Sequence, residues 1–236
     1  MRHWLSFKHG SQSKSKFASA FSDCAPYCWK WDCAGKKSLH AAEQETGSGK
    51  EKRNAWREQV AGISADRLVF LDESGVTTDM TRSYGRSERG QRIREATPGG
   101  HWRTVTMLGA ISSEGWQATM TIAAPTDGEV FLAYLRDVLG PTLRPGQVVV
   151  MDNLSAHQVN GVAEAIQAAG AQVLYLPPYS PDFNPIEACW SVVKQHLRKC
   201  KARSLDALDL AIPVALNAVS KKIIANCFRH CGYALQ

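Results

Sequence analysis

From residue 66 onward, hydrophobic and polar positions follow the short blocks that an α/β domain uses. Two apolar runs, RLVFLDESG and QVVVMDN, each lead into an aspartate, which is typical of buried central strands. Three further segments, SYGRSERGQRI, TVTMLGAIS and WQATMTIAA, lie between turns rich in Gly and Ser. We therefore predict that these three segments form an antiparallel meander.

Helical periodicity follows the meander. The segment TDGEVFLAYLRDVL begins with a capping box of Thr126 and Glu129 and repeats its apolar residues on one face. A shorter helix, VNGVAEAIQAAG, is closed by Gly170, AQVLYLPP is a further strand, and a third helix begins at Asn184. This alternation predicts a mixed sheet with helices on its faces.

Three carboxylates occupy positions that suit a catalytic site. Asp72 and Asp152 end the two apolar strands, and ligands of open α/β sheets bind beyond the carboxyl ends of strands. Glu187 begins the helix after the next strand, so it can reach the same edge. Crowded acids repel one another unless cations neutralise them, and oxygen ligands select Mg²⁺ or Mn²⁺. We predict that the three acids converge on two such ions, an arrangement that suits phosphodiester chemistry.

A structural role for Glu187 fits the local sequence equally well. Four prolines between residues 177 and 185 make a rigid approach to the helix. Asn184 is a good N-cap, Pro185 suits the first helical position, and Glu187 falls at the third, where it can reach back to the cap. The local pattern leaves both a capping box and a catalytic carboxylate open.

Positive charge is concentrated in separate regions of the chain. Residues 1–57 hold 11 Lys and Arg against 5 Asp and Glu, which accounts for the whole net charge of +6. Residues 82–103 carry six arginines, among them Arg86 and Arg89, against two glutamates. Clustered positive charge of this kind is typical of proteins that bind a polyanion, although a single charged run also fits a solvated face.

The third helix carries a second basic group. Lys194, Arg198 and Lys201 follow Glu187 by 7, 11 and 14 residues, which places them within about 40° of its direction around a helix. A carboxylate at the head of a row of cations suits a metal site at one end of a track for nucleic-acid phosphates. We predict that this row, with Arg86 and Arg89, binds nucleic acid.

The chain is long enough for one full domain and an extension. It has 236 residues, of which 44% are apolar. Residues 1–65 show no sustained helical or strand period, although KSLHAAEQE and NAWREQV could form short helices. We predict a basic N-terminal extension or linker over residues 1–65 and one domain over residues 66–236.

Cysteine content and hydropathy favour a cytosolic protein. Seven cysteines at irregular spacing argue against a secreted disulfide framework. No stretch approaches the roughly 20 apolar residues of a membrane span, and no signal-peptide pattern is visible, so we expect no membrane partner. The cysteine-containing clusters at 24–33 and 227–231 could contribute zinc ligands, but neither has a paired C-x-x-C arrangement.

The blocks around the three acids resemble a known family. FLDESG with Asp72, VMDNLSAH with Asp152 and LPPYSPDFNPIE with Glu187 are similar to the three catalytic blocks of DDE transposases, in the bacterial insertion-sequence branch of the mariner superfamily. The resemblance covers about residues 66–200. It includes the 34 residues between the last two acids and the segment GGHWRTVTMLGAIS.

This resemblance implies an α/β, RNase H-like fold, that is, a mixed five-stranded sheet flanked by helices on both faces. It implies that residues 66–236 are a catalytic domain in which Asp72, Asp152 and Glu187 bind two Mg²⁺ or Mn²⁺ ions. The implied activity is cleavage of DNA at transposon ends and strand transfer into target DNA at TA dinucleotides, by a homodimer in the synaptic complex. The implied location is the bacterial cytoplasm, at the nucleoid.

The N-terminal region departs from that family. Its members carry helix-turn-helix domains there, whereas residues 1–65 do not show that pattern, and KKSLHAAEQE is similar to the family's linker. Two alternatives therefore stay open. The chain could be a catalytically silent DNA-binding or accessory remnant of a transposase, or a general RNase H-like nuclease.

Other polar and aromatic residues near these blocks have structural explanations. Glu73 should point to the side of its strand opposite the preceding aspartate and form a structural hydrogen bond. Asn153 and His157 fit turns and caps as well as a catalytic role. We expect Trp102 and Trp190 in the core rather than on a surface that stacks bases.

Overall fold

The structure, a computed structural model, describes residues 41–235 of the chain. Its strands are β1 (Leu68–Thr77), β2 (Thr104–Ser112), β3 (Gly115–Ile122), β4 (Val148–Met151) and β5 (Gln172–Tyr175). Its helices are α1 (Gly47–Ala61), α2 (Gly128–Ala133, continuing as a π-helix over Tyr134–Leu139), α3 (Val162–Ala168), α4 (Pro185–Cys200), α5 (Leu205–Asn217) and α6 (Lys221–His230). The cysteine cluster at 24–33 and the first half of KSLHAAEQE lie outside the described residues. Across residues 41–235, no helix has both the length and the apolar character needed to cross a membrane.

The strands form one mixed sheet in the order β3-β2-β1-β4-β5. β1 pairs antiparallel with β2, and β2 with β3, which gives the expected meander. β4 pairs parallel with both β1 and β5. The predicted mixed five-stranded sheet is confirmed, with the long antiparallel pair at one side and the short parallel strands at the other.

Apolar side chains fill both faces of this sheet. Along β1, Leu68 and Phe70 belong to the core that α1, α4, α5 and α6 cover, whereas Val69 and Leu71 belong to the core beneath α2 and α3. The prediction of helices on both faces is therefore confirmed. Because side chains alternate along a strand, Asp72 lies on the same face of the sheet as Leu68 and Phe70. Glu73 lies on the opposite face, with Val69 and Leu71.

The segment SYGRSERGQRI, predicted as a strand, is not one. Residues 78–103, called the β1–β2 arm below, contain no regular strand or helix. Charged and small residues alternate there as they would in a strand, but Tyr84 stays 92% exposed and Ile93 50% exposed. Without a buried face or a partner strand, an isolated extended segment gains little from pairing.

The base of the β1–β2 arm is nevertheless anchored to the domain. The Thr78 N–H donates to the Arg103 carbonyl at 3.0 Å, which continues the β1–β2 pairing by one residue. The Arg203 guanidinium donates to the carbonyls of Thr78 and Met80 at 3.0 Å and to the Thr81 hydroxyl at 2.9 Å. The arm therefore has a fixed stem and an exposed tip.

The start of α2 corrects a second prediction. Its N-cap is Asp127 rather than Thr126, because the Asp127 carboxylate accepts a hydrogen bond from the Val130 N–H at 2.9 Å. The apolar face is used as predicted. Its buried residues are Phe131, Tyr134, Leu135 and Leu139.

Helix α1 is longer than the short helix expected at NAWREQV, and it belongs to the same compact unit as the sheet. Thr46 caps it by accepting from the Gly49 N–H at 3.0 Å. Trp56 and Val60 are buried in the core of the first sheet face. The described unit thus begins at residue 41, upstream of the boundary that the sequence suggests.

Candidate active site

The three predicted acids line one cavity. Its volume is about 400 Å³, and Asp72, Asp152 and Glu187 all contribute to its wall. The strands explain the first pair: Phe70 pairs with Val150 across β1 and β4, and each aspartate stands two residues further along its chain. The proline-rich loop after β5 completes the wall and leads into α4.

Asp72 is the buried member of this group. It is 8% exposed, and its Oδ2 atom has no hydrogen-bond partner. Burial raises the pKa of Asp72 to about 8, and the nearby charges of Glu187 and Asp152 add to the increase. A buried carboxylate oxygen without a donor, facing two more acids, is the environment that a bound cation would neutralise.

Glu187 does not form the capping box that its position allows. It is the third residue of α4, but the Asn184 side chain makes no capping hydrogen bond, and the buried Asn184 Oδ1 has no partner. Among residues 41–235, no hydrogen bond or ion pair engages the exposed Glu187 carboxylate. Desolvation raises the pKa of Glu187, Lys194 opposes that increase, and Asp152 adds to it. The structure thus leaves the carboxylate available to the cavity.

Asp152 is held from behind by a buried histidine. The His157 Nδ1 donates to Asp152 Oδ1 at 2.6 Å, and the ring faces Phe131 with 4.3 Å between centroids. On its other side, His157 Nε2 lies 3.5 Å from Glu73 Oε1. Burial lowers the pKa of His157, but the hydrogen bond to Asp152 and the neighbouring Glu73 carboxylate outweigh that effect and raise it to about 9. The imidazolium therefore links the two carboxylates.

This link settles the positions of two residues that the sequence left open. Glu73 lies on the opposite side of β1 from the cavity, as expected, but instead of the expected hydrogen bond it has an ion pair with His157 at 3.5 Å, and its Oε1 accepts no hydrogen bond. His157 is fully buried and bonds directly to a candidate ligand, so its effect on the site is orientation of Asp152. Asn153 instead accepts from Gln158 at the rim of the cavity.

The three acids share a cavity without forming a closed metal centre. Within the described part of the chain, no three Asp, Glu, His or Cys side chains are arranged closely enough to hold an ion as they stand. This finding also applies to Cys227, His230 and Cys231, so it gives no support to zinc there. The oxygen-only donors and the unpartnered Asp72 atom fit Mg²⁺ or Mn²⁺, provided that the unbonded Glu187 side chain turns inward.

The proline-rich loop that carries Glu187 is tied to α1. The Arg53 guanidinium donates to both carboxylate oxygens of Asp182, at 3.0 and 2.6 Å, and to the Ser180 hydroxyl at 2.8 Å. It also lies over the Phe183 ring, 4.2 Å from the centroid. The Gln44 amide donates to the Tyr179 carbonyl at 2.6 Å. Helix α1 therefore braces the loop that positions α4.

The residues proposed for DNA binding fall into different environments. Lys194 and Arg198 are half-buried on α4, and Lys194 acts electrostatically on Glu187. Helix α4 ends at Cys200, so Lys201 adopts a left-handed conformation and forms an ion pair with Glu95 of the β1–β2 arm. The row predicted on the helix is thus shorter by one residue.

Arg86 and Arg89 lie on the exposed tip of the β1–β2 arm. Within residues 41–235, neither side chain has a hydrogen-bond or ion-pair partner. Both are therefore available to phosphates.

The two tryptophans behave differently. Trp190 is 2% exposed and packs against Trp116 at 4.9 Å between centroids, as expected of a core residue. Trp102 is 57% exposed, so the prediction of a core position for it is wrong. It follows the Gly99–Gly100 turn at the stem of the β1–β2 arm, where no helix covers it.

Sequence reasoning missed the Arg53 contacts. The partners Arg53 and Asp182 are 129 positions apart, and although Asp182 lies in the block LPPYSPDFNPIE, Arg53 belongs to no recognisable motif. The only signal was the mixed composition of residues 1–65, which gives no indication of a partner. The His157 contact was more accessible, because His157 follows Asp152 by five residues.

Comparisons with solved structures return the same architecture. The Mos1 transposase paired-end complex with left transposon end matches with a TM-score of 0.71 at 12% identity, over 98% of this chain and 79% of that one. The Mos1 mariner paired end complex with Mn matches with a TM-score of 0.71 at 13% identity, over 96% and 79%. The catalytic domain of Mos1 mariner transposase gives 0.60 at 12% identity, over 85% and 100%. These likenesses confirm the RNase H-like fold.

Sequence comparison identifies the family. No curated protein matches the chain. A family model described as DDE superfamily endonuclease matches residues 67–209, which is more than half of the chain and includes all three acids. The chain therefore belongs to the DDE superfamily endonucleases.

Proposed function

We propose that this chain is the catalytic core of a transposase that cuts DNA at transposon ends and transfers the strand into target DNA. Asp72, Asp152 and Glu187 are the proposed ligands of two Mg²⁺ or Mn²⁺ ions. The observation that carries the proposal is Asp72, a buried carboxylate with an unpartnered oxygen in a cavity that two further acids line. Family membership supports the same assignment.

The three acids have different proposed roles at the metal site. Bound divalent ions would activate the attacking water or 3′-hydroxyl and stabilise the leaving oxygen. Asp72 is fixed by its strand, and Asp152 is oriented by the His157 hydrogen bond. Glu187 is the adjustable member, since its side chain is unbonded while its backbone is fixed at the first turn of α4. We propose that this side chain completes the site when ions bind.

The substrate is proposed from charge and from the structural neighbours. Lys194, Arg198, Arg86 and Arg89 offer positive charge for DNA phosphates, with Lys201 in a secondary role beside Glu95. Similar structures are Mos1 complexes with a transposon end, a strand transfer complex, and paired-end complexes with Mn and Mg. By analogy, we propose DNA ends as substrate, TA dinucleotides as target and a homodimer as the working assembly.

The proposal includes organisation and location. Residues 66–236 are the proposed catalytic domain, and α1 braces it from the N-terminal side. Residues 1–65 are the proposed basic extension, which contributes most of the net positive charge. We place the activity in the bacterial cytoplasm, at the nucleoid.

One observation favours a second candidate, a catalytically silent DNA-binding remnant. The three acids are not arranged as a closed metal centre in the described part of the chain. A silent remnant would keep the DNA-binding charge and lose metal-dependent cleavage. Cleavage therefore separates the two candidates.

The test measures nicking of supercoiled plasmid in Mg²⁺, Mn²⁺ or EDTA. One plasmid carries the transposon ends that flank the gene for this chain, and the other lacks them. The wild-type protein should nick only with the metal and prefer the end-bearing plasmid, and Glu187→Gln should abolish nicking. The matched control is Glu164→Gln, because Glu164 is the third residue of α3 and its carboxylate does reach back to the N-cap backbone, accepting from the Gly161 N–H at 3.0 Å. Loss of nicking in the control as well, or no metal-dependent nicking by wild type, would contradict the proposal.

A further inference from the structure

Trp102 is the most exposed tryptophan of residues 41–235. It is 57% exposed, whereas Trp56 is 4% exposed and Trp190 is 2% exposed. Within the described residues, Trp102 has no hydrogen-bond partner and no aromatic neighbour. Packing in the core therefore does not account for this side chain.

Trp102 lines a cavity at the stem of the β1–β2 arm. The cavity has a volume of about 540 Å³, within the range of small-ligand sites. His101, Asp79 and Arg203 contribute polar groups, and Pro98 contributes apolar surface. The wall thus combines an aromatic ring with groups that can donate or accept hydrogen bonds, and it is open to solvent.

The walls of this cavity are held in place by backbone contacts. The Arg103 N–H donates to the Thr78 hydroxyl at 3.1 Å, and the Thr78 N–H donates to the Arg103 carbonyl at 3.0 Å. Arg203 reaches across from the residues after α4 and bonds to the Thr78 carbonyl at 3.0 Å. The backbone beside Trp102 is therefore joined to the end of β1, which fixes the point from which the indole projects.

The cavity at Trp102 lies at a distance from the candidate active site that a nucleic-acid strand can span. Asp72 and Thr77 both lie on β1, and five strand residues span about 17 Å. The cavity at Trp102 begins at the next residue, Thr78, so it lies further along β1 in the chain direction than the acid cavity at Asp72. The surrounding arm carries six arginines against two glutamates over residues 82–103. This charge is complementary to a phosphate backbone.

We propose that this cavity binds an unpaired nucleobase of the DNA substrate, stacked on Trp102. A paired base inside a duplex has both faces covered by its neighbours, so only an unpaired or terminal base can lie against an indole. Arginines of the arm hold the phosphates on either side, and Asp79 and His101 face the edge of the base. The inference rests on the proposed function, because it concerns the same DNA.

The test measures binding of a short single-stranded oligonucleotide with a central 2-aminopurine to the full chain, over a series of salt concentrations. Trp102→Ala should weaken binding about 5- to 150-fold, the range expected for loss of one stacked base. The salt slope should stay unchanged, because no phosphate contact is removed. Trp102→Phe should restore affinity to within a few fold, and quenching of 2-aminopurine should require an aromatic residue at this position.

Arg94→Ala is the matched control, since Arg94 is an exposed neighbour on the same arm. It should reduce the salt slope by up to about 0.7 and leave the quenching intact. Thermal unfolding of each variant reports whether the fold is retained, which is expected because Trp102 is exposed.

Two results would overturn the inference. One is binding of the oligonucleotide by Trp102→Ala within twofold of wild type. The other is loss of self-association in Trp102→Ala at unchanged oligonucleotide affinity, which would assign this surface to a second copy of the chain. Failure of the proposed function is a separate result, because binding that depends on Trp102 in a protein unable to nick plasmid leaves the nucleobase site standing.

Discussion

At the scale of single residues, the acid cavity contains an electrostatically unfavourable arrangement of carboxylates. Asp72 is buried without a donor for Oδ2, and Glu187 and Asp152 act on it with charge of the same sign. Such an arrangement destabilises the ionised form of the carboxyl group. It is retained at this edge of the sheet because, on our proposal, cations supply the missing partner.

This cost predicts how stability depends on pH without metal. The pKa of Asp72 rises from 3.8 to about 8 on folding, so between these values the folded chain holds a proton that the unfolded chain has released. The pKa of His157 rises from 6.5 to about 9, so its contribution is complete below 6.5 and is lost as pH rises through 9. Both effects lower the free energy of unfolding as pH rises from about 6.5 to 8, and the His157 effect continues to about 9.

Thermal unfolding in EDTA should therefore give a Tm that falls over this pH window. Mn²⁺ should raise the Tm more at the alkaline end, because binding favours the ionised Asp72. Asp72→Asn is the control, and it should reduce the pH dependence. A Tm that is flat or that rises with pH in EDTA would contradict the environment described for these groups.

The hydrogen bond from His157 to Asp152 predicts an effect on metal affinity. His157→Phe keeps the ring that faces Phe131 but removes the Nδ1 donor, so the Asp152 carboxylate loses its orientation. Removing such a supporting partner typically weakens metal binding about 10- to 100-fold. Calorimetric titration with Mn²⁺ measures this change, and His157→Asn, whose amide can donate, should recover part of it. Equal affinity in wild type and His157→Phe would show that the bond does not position the ligand.

At the scale of elements, α1 and α4 act together. Helix α4 begins where the sequence predicts, at Pro185 after Asn184, and buries the predicted apolar face. Its start is fixed from outside by Arg53 of α1, which holds Asp182 and Ser180 in the preceding loop. The stiffness of the approach to Glu187 thus comes from this brace as well as from prolines.

Removing the brace should affect stability and catalysis together. Arg53→Met keeps the aliphatic stem but loses three hydrogen bonds, of which two join charged groups. Asp182 is partly exposed, so we expect a cost of about 2 kcal/mol in the free energy of unfolding. Plasmid nicking should slow because the loop no longer fixes α4.

The control is Arg57→Met, one turn further along α1. Among the described residues, the Arg57 guanidinium forms a hydrogen bond only with Asn54 of the same helix, and it lies 5.1 Å from the Phe183 centroid. Equal nicking and Tm in wild type and Arg53→Met would show that the brace is dispensable.

The basic residues of α4 make a separate prediction for DNA affinity. Replacing Lys194 and Arg198 by alanine should weaken binding to all duplex sequences and reduce the salt slope by up to about 1.8 for two phosphate contacts. Lys201→Ala should change the slope less, because Lys201 is paired with Glu95. Salt-dependent fluorescence anisotropy gives these slopes.

A charge-matched control lies at the other end of the sheet. Lys221 and Lys222 line a cavity with Ser64 and Ser113, which precede β1 and follow β2. Replacing both should leave the slope near the wild-type value. The account of α4 would be wrong if the two double variants changed the slope equally.

At the scale of the whole molecule, most helices and strands, which depend on residues close together in the sequence, could be predicted, whereas side-chain contacts between residues far apart in the sequence could not. The strands and helices follow from local apolar patterns. Asp72 and Asp152 come together because Phe70 pairs with Val150 in parallel register, although Asp72 lies within β1 rather than at its end. The β1–β2 arm is not the predicted strand, because its alternating charge imitates a strand period while its apolar residues Tyr84 and Ile93 stay exposed and form no buried face. The Arg53 brace joins residues 129 positions apart, and no local pattern encodes such a contact.

The candidate site shows the same division. Its three acids could be chosen from sequence because each lies in a recognisable block, although Asp72 does not end its strand as expected, since β1 continues to Thr77. The roles of their neighbours could not be predicted, since the contacts of His157 with Asp152 and Glu73 depend on the burial of His157 and on distances between side chains. The choice between a cap and a ligand for Glu187 likewise required the geometry of Asn184.

The central claim is that Asp72, Asp152 and Glu187 form one divalent-metal site. Crystals of the protein soaked in Mn²⁺ and measured for anomalous scattering test it most directly. The account predicts strong peaks within the acid cavity, bounded by oxygen atoms of all three residues at metal–oxygen distances near 2 Å, and their loss in Glu187→Gln. Peaks confined to other parts of the molecule, or peaks in the cavity that stay unchanged in Glu187→Gln, would contradict the claim.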